Sequence, residues 1–199
     1  MNTLFPIIKD NANYINVSER TARQFDIFLD EEIGAPADYR ELISILFSAT
    51  ENDDVSIFIN STGGQLDTAL SIIEGIRHCN ANVTAIIIGC CHSAASMIAL
   101  YCHNVVVTDS AYMLVHSASY GSSGTTGNVK AHTDFTYKQV DKLLDDVYEG
   151  FLTKEELTNV KKGVEVWLSA DEIRTRMEKR AKVLQKRFKQ LQLKSTQEE

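Results

Sequence analysis

The chain has four cysteines, Cys79, Cys90, Cys91 and Cys102, and no C-x-x-C pair among them. Adjacent Cys90 and Cys91 are poor partners for each other. All four therefore read as small buried apolar residues in a reducing compartment, and a cytoplasmic location is expected. The first eleven residues carry no charged segment ahead of an apolar stretch, so no signal peptide is expected. G-x-G-x-x-G and G-x-x-x-x-G-K-[ST] are both absent, which removes the usual phosphate loops. No His pair stands at i, i+4 or as H-x-H, so metal binding is not expected. No repeat of solenoid length is present. Long apolar runs are scarce too. Only Val83–Tyr101 approaches a membrane thickness, and His92, Ser93 and Ser96 interrupt it. Its β-branched start and Ala-rich end predict a buried strand, a turn and a buried helix.

Charge is unevenly placed. Residues 1–173 hold 24 acids and 11 bases, whereas residues 174–199 hold 9 bases and 3 acids. An acidic body argues against a broad nucleic-acid face there and confines that idea to the basic tail. At 199 residues and 44% apolar content, the chain fits one folded domain. Its expected parts are an N-terminal arm (1–22), a body, and a basic C-terminal helix (170–199).

Through residues 24–116, strand and helix patterns alternate, which predicts an α/β fold with helices covering a sheet. The expected elements are strands at Gln24–Leu29, Val55–Ile59, Asn82–Ile88, Asn104–Val107 and Tyr112–Val115. The expected helices are Asp38–Ala49 with Asp38 as N-cap, Asp67–Cys79, Ala94–Tyr101, Val129–Phe151 and about Ser169–Leu193. Thr153 with Glu156 three residues on reads as a capping box. Loops at the carboxyl ends of such strands are where chemistry sits. Two qualify: Asn60–Gly64 and Gly89–Ser96.

Ser96 lies near the start of a short helix, where backbone N–H groups and the dipole favour an alkoxide or oxyanion; it also reads as a small packing residue. His116 follows a short strand and suits a general base, although His78, His92, His103 and His132 compete on residue type. Gly63-Gly64 permits positive φ and free N–H donors, or is simply a strand-to-helix turn. Glu165, flanked by Val164 and Val166, is one of many candidate acids, or an outward residue of an alternating strand.

Taken together, these segments resemble the Clp protease proteolytic subunit family, the ClpP-type serine peptidases. Ile59-Asn60-Ser61-Thr62-Gly63-Gly64 is similar to the family's I-N-S-P-G-G. Ser93-Ala94-Ala95-Ser96-Met97 is similar to G-x-A-A-S-M-G. Asp109 to His116 is similar to N-S-x-x-M-I-H, and Glu165 to Ala170 is similar to D-R-x-F-L-S-A. Phe25-Asp26-Ile27 resembles S-F-D-I-Y. The resemblance covers about residues 24–172. It implies a ClpP/crotonase-like fold of strand-strand-helix units, with residues 117–151 as a protruding handle that joins rings.

The resemblance also implies roles. Ser96 becomes nucleophile, His116 base and Glu165 the acid in place of Asp, with backbone N–H groups of Gly64 and Met97 as oxyanion hole. No cofactor or metal is implied. The implied partners are further copies of the chain in heptameric or tetradecameric rings, polypeptide substrates and a Clp-type ATPase unfoldase. The chain departs from the pattern in several places. The Ser96-to-His116 interval is short, the Phe28–Asp38 region is trimmed, and a basic helix replaces the usual Y-G-L-V-D ending. These features point to a divergent, phage-type member, in the host cytoplasm if phage-encoded. Ile173, Met177, Ala181, Leu184, Phe188 and Leu191 form an apolar stripe on that helix. It predicts packing on the body or pairing with a protein, with nucleic-acid contact the weaker option. Competing functions are a crotonase-like acyl-CoA enzyme, an inactive ring or scaffold subunit, and a Ser–Lys peptidase using Lys130.

Overall fold

Period-two burial builds the centre of the sheet. In the computed structural model, which describes residues 21–195, Val55, Ile57, Ile59 and Ser61 all point inward from β2 (Asp54–Ser61). The order of elements is β1 (Gln24–Leu29), α1 (Arg40–Ser48), β2, α2 (Leu66–His78), β3 (Asn82–His92), α3 (Ala94–Tyr101), β4 (Asn104–Val107), β5 (Tyr112–Val115), α4 (Thr126–Tyr148), α5 (Lys154–Lys161), β6 (Val166–Ser169) and α6 (Ala170–Ser195). This is the α/β architecture expected from the sequence. The predicted arm at 1–22 lies almost wholly outside the described residues.

The sheet runs β1-β2-β3-β5-β6, with β4 pairing off that path against β3. All pairs are parallel except β5 with β6. β3 is the longest strand and serves two neighbours in turn. Thr84–Ile87 pair with β4, and Cys90–His92 pair with β5. Its register against β2 shifts between Ile59 and Ser61. The cause is local: the Asn60 side chain fills the space beside Gly89, where any Cβ would strike its amide oxygen, and the same oxygen accepts from Cys90 N at 3.0 Å. The expected loop Gly89–Ser96 is thus corrected. Gly89 to His92 stay in the strand, and the turn shrinks to Ser93.

The helices cover one face. On α2, Ala69, Ile72, Ile73 and Ile76 are buried at i, i+3, i+4 and i+7. Each of the three isoleucines contributes roughly 1.5–3 kcal/mol on burial. α3 is buried on every side from Ala94 to Leu100. That explains the membrane-like run in the sequence, which the fold divides between β3 and α3. No helix of the described residues is long and apolar enough to cross a membrane. The opposite sheet face leaves Phe28, Ile88, Val106, Tyr112 and Trp167 exposed, with Phe28 stacked on Phe58 at 4.9 Å.

Helix ends follow partly from the sequence. Thr153 and Glu156 do form the capping box. Asp38 does not cap α1: a short 3-10 turn, Pro36–Tyr39, precedes that helix, and no side chain caps it. α4 buries only Leu144, Val147 and Tyr148, in its last turns. α6 is docked by Ile173, Met177 and Arg180, whereas residues 181–190 are all exposed. Of the predicted apolar stripe, Ile173 and Met177 pack on the body and Ala181, Leu184 and Phe188 are exposed, while the Leu191 side chain lies outside the described residues. Arg180, 6% exposed, spends its guanidinium on main-chain carbonyls: Val147 and Glu149 at the end of α4, and Leu100 at the end of α3. A cation at two helix C-termini is favourable for both dipoles.

Candidate active site

β3 ends and α3 begins with one residue between them. Ser93 carries φ 51° and ψ −121°, and it is the only non-glycine residue with positive φ among those described. A conformation this sparsely populated persists only where the surroundings over-determine it. Ser93 N donates to Leu114 O at 2.9 Å, which ties the turn to β5 two residues before His116. Ser93 O accepts from Ser96 N at 3.0 Å, from Met97 N at 3.3 Å and from the Ser96 hydroxyl at 2.7 Å.

The glycine loop after β2 packs directly against this turn. A Cβ on Gly63, whose φ is 88°, would lie 2.6 Å from His92 O, 2.8 Å from Ser93 Cβ and 3.0 Å from Ala94 N. Only glycine fits there. The loop is held from behind by Ile33 N to Gly63 O (2.7 Å), Gln65 N to Ile33 O (2.8 Å) and Gly63 N to Ser61 Oγ (3.1 Å). Gly64 N donates to no group among the described residues, so it remains open to a ligand.

The two residues taken from the A-A-S-M motif do not meet the demands placed on them. Ser96 is 0% exposed, and its hydroxyl lies between Ser93 O and the Tyr148 hydroxyl, each at 2.7 Å. It faces the core and makes no bond to His116. The Met97 N–H is spent inside the helix on Ser93 O. The physical reason is periodicity: three residues beyond the turn, a helical position points back under the sheet.

His116 lies just past β5 and is half-buried. Pairing of β5 with β6 ends at Val115↔Val166, and the register carried one residue further sets Glu165 opposite His116. The two are not hydrogen-bonded. The Glu165 carboxylate is exposed and accepts from Trp167 Nε1 at 3.0 Å. Short distances of this kind often form only when substrate is bound.

His92 completes the cluster. Its ring lies edge-on to Tyr112 at 5.1 Å and to Trp167 at 5.3 Å, and its Nε2 is buried without a partner. Burial, and to a lesser degree the nearby His116, push its pKa below the ordinary imidazole value, so it is a neutral wall of the site. The remaining histidines are elsewhere: His103 accepts from Val83 N, His78 contacts Glu74 O, and His132 packs on Tyr120. Lys130 is exposed on α4 and paired with Asp134 at 2.6 Å.

Sequence reasoning missed Tyr148 and the distinct positions of the two serines. The repeated Ser93-Ala94-Ala95-Ser96 and the short interval to His116 were the signals for the latter.

A protein-family model described as Clp protease matches residues 9–176. The ATP-dependent Clp protease proteolytic subunit of Borreliella afzelii is 32% identical over 103 residues, 49% of this chain and 51% of that protein. The corresponding subunit of Chlorokybus atmophyticus is 33% identical over 89 residues, 44% of this chain and 40% of that protein. Proteolytic subunit 2 of Chlamydia trachomatis is 25% identical over 175 residues, 75% of this chain and 85% of that protein. Against relatives such as the Chlorokybus protein, the chain spans only about two fifths of their length.

Proposed function

Because the chain belongs to the Clp protease family, we propose that it is a serine-type endopeptidase subunit with its nucleophile on the β3–α3 turn. The observation that carries this reading is the strained serine turn, wedged between the Gly63-Gly64 loop and the strand that leads into His116. A sharp strand-to-helix turn with open N–H donors beside it is how several hydrolase folds present a serine.

The chemistry builds on those parts. The serine O–H bond breaks as its oxygen bonds to the peptide carbonyl carbon, and His116 takes the proton. The carbonyl electrons move onto oxygen, which backbone N–H groups of the glycine loop and the start of α3 stabilise. Collapse breaks the C–N bond, and the leaving amine takes the proton from the imidazolium. Water, deprotonated by His116, then hydrolyses the acyl-enzyme. Glu165, opposite His116 in register, orients the ring and stabilises its charge.

Association of copies into a ring that encloses the sites belongs to the same proposal. It is supported by the row of exposed apolar side chains on the outer sheet face and by the handle-like α4. A Clp-type ATPase that delivers unfolded polypeptide is the corresponding partner, and the location is cytoplasmic. A fluorophosphonate or β-lactone probe on the assembled protein tests the reading. A covalent adduct within Ser93–Ser96, with hydrolysis of a fluorogenic peptide, is expected. No adduct on that turn overturns it.

One observation favours a second reading, an inactive ring subunit: Glu165 is engaged by Trp167, and His116 is bonded to neither serine. Ring assembly without cleavage, with or without ATPase, would support it.

A further inference from the structure

We propose that Ser93, not Ser96, is the nucleophile, that Ala94 N–H is the oxyanion donor beside it, and that Ser96 is a positioning residue tying the turn to Tyr148. This rests on the serine-peptidase reading and assigns its residues.

Proton accounting separates the two serines. A hydroxyl has one proton, and Ser93 O can only accept. The Ser96 proton is therefore committed to Ser93 O at 2.7 Å, and Tyr148 must donate its own to Ser96 at 2.7 Å. A peptide carbonyl is no base, so Ser96 has no route for its proton to His116. Burial, only partly offset by the bond to Ser96, drives the Tyr148 phenol well above its ordinary pKa, so the tyrosine stays a donor. Ser96 is also fully buried, with no path for a peptide carbonyl to reach it.

Ser93 is free of the two constraints that hold Ser96, a committed proton and full burial. It stands at the end of the sheet in the single-residue turn, with no hydrogen bond from its hydroxyl to any described residue. Its backbone is anchored to Leu114, on the strand that leads into His116. A Cβ added at Gly63 would strike Ser93 Cβ and Ala94 N, so the glycine loop borders this serine and this amide. Ala94 N–H is the first of α3 and has no intrahelical acceptor, whereas Met97 N–H already has Ser93 O. Nucleophile and donor thus move together by three residues. The move also lengthens the short interval to His116 by three.

Ser96 then has a different task. Together with Ser96 N and Met97 N, its hydroxyl loads the Ser93 carbonyl with three donors and fixes the rotation of the Ser93 peptide. Tyr148, the last residue of α4, clamps that arrangement from the handle side.

The test is fluorophosphonate labelling of the full-length assembled protein, with the modified residue read from fragment masses, for wild type, S93A, S96A and Y148F. The adduct is expected on Ser93. S93A should lose labelling and at least roughly a thousandfold in kcat/KM. S96A and Y148F should keep the Ser93 adduct, with kcat lowered about three- to tenfold, KM unchanged, and no further loss in the double variant. Should S96A fail to assemble, Y148F carries that arm. An adduct on Ser96, or labelling that survives S93A and vanishes in S96A, overturns the assignment while the peptidase reading stands. No adduct on either serine in assembled wild type overturns both. A change confined to KM, or additive losses in S96A/Y148F, overturns the positioning role.

Discussion

The hydroxyls of Ser96 and Tyr148 lie 2.7 Å apart in the core, both fully buried, and join the start of α3 to the end of α4. Tyr148→Phe deletes one hydroxyl and leaves Ser96 bonded to Ser93 O. The expected loss of stability is about 1 kcal/mol, the net worth of one hydrogen bond. The urea midpoint should fall with the slope unchanged, and no shift in the midpoint would mean that the pair contributes nothing to folding.

Gly63 is confined by the His92–Ala94 turn, through two backbone atoms and the Ser93 Cβ. Gly63→Ala puts a methyl within 3.0 Å of His92 O, Ser93 Cβ and Ala94 N at a φ of 88°. None of those atoms is the far end of a flexible side chain. The substitution should cost about 2–3 kcal/mol and abolish probe labelling, because the turn and the loop must separate. Wild-type labelling kinetics in the variant would show that the loop is not part of the site.

Arg180 serves the carboxyl ends of α3 and α4 from inside the fold. Arg180→Met keeps the apolar stem and removes the donors, so buried carbonyls lose their partners. A loss of about 2–3 kcal/mol is expected. Truncation provides the matching comparison. A chain ending at Arg180 should keep its thermal midpoint within a few degrees. Residues 181–190 are exposed; Val183 lies beside Gly150, and Arg187 pairs with Glu149 at the surface. A chain ending at Lys179 should melt markedly lower. Equal midpoints for the two truncations would mean that Arg180 adds nothing to stability.

Glu156 gives the fold an acid dependence. The Arg176 guanidinium, and then the cap at Thr153, hold its carboxyl at about 2 against an ordinary 4.5, although partial burial opposes them. A depressed carboxylate stabilises the folded state above the unfolded value and stops doing so once protonated in the fold. Stability from this group is therefore complete above about pH 4.5 and is lost as pH falls toward 2. Urea midpoints across that window should decline less steeply in Glu156→Gln, and identical slopes would contradict the assignment.

Several features needed only the chain. Alternating apolar residues marked Gln24–Leu29 as a strand, and helical spacing marked α2, because local periodicity reports which face is buried. The Thr153 capping box was readable because all its partners lie within four residues. Asp38 misled for the opposite reason: a cap depends on where the first turn begins, and the 3-10 turn at Pro36 moved that point. The apolar stripe on α6 was legible as amphipathic, but its division into a docked start and an exposed end depends on where the body stops.

By itself, then, the sequence determined the order of strands and helices, the glycine loop, and a histidine placed after β5. Its resemblance to the A-A-S-M motif pointed to Ser96, one of two serines in the stretch. Tertiary structure alone distinguished those serines. Ser93 and Ser96 stand in the same S-A-A-S repeat and differ by less than one helical turn. Which of them is offered at the surface depends on where β3 ends. That end is set by pairing with β5, by Asn60 filling the space at Gly89, and by a tyrosine 52 residues further along the chain. Contacts between residues so far apart leave no local pattern, so they can only be seen once the chain has folded.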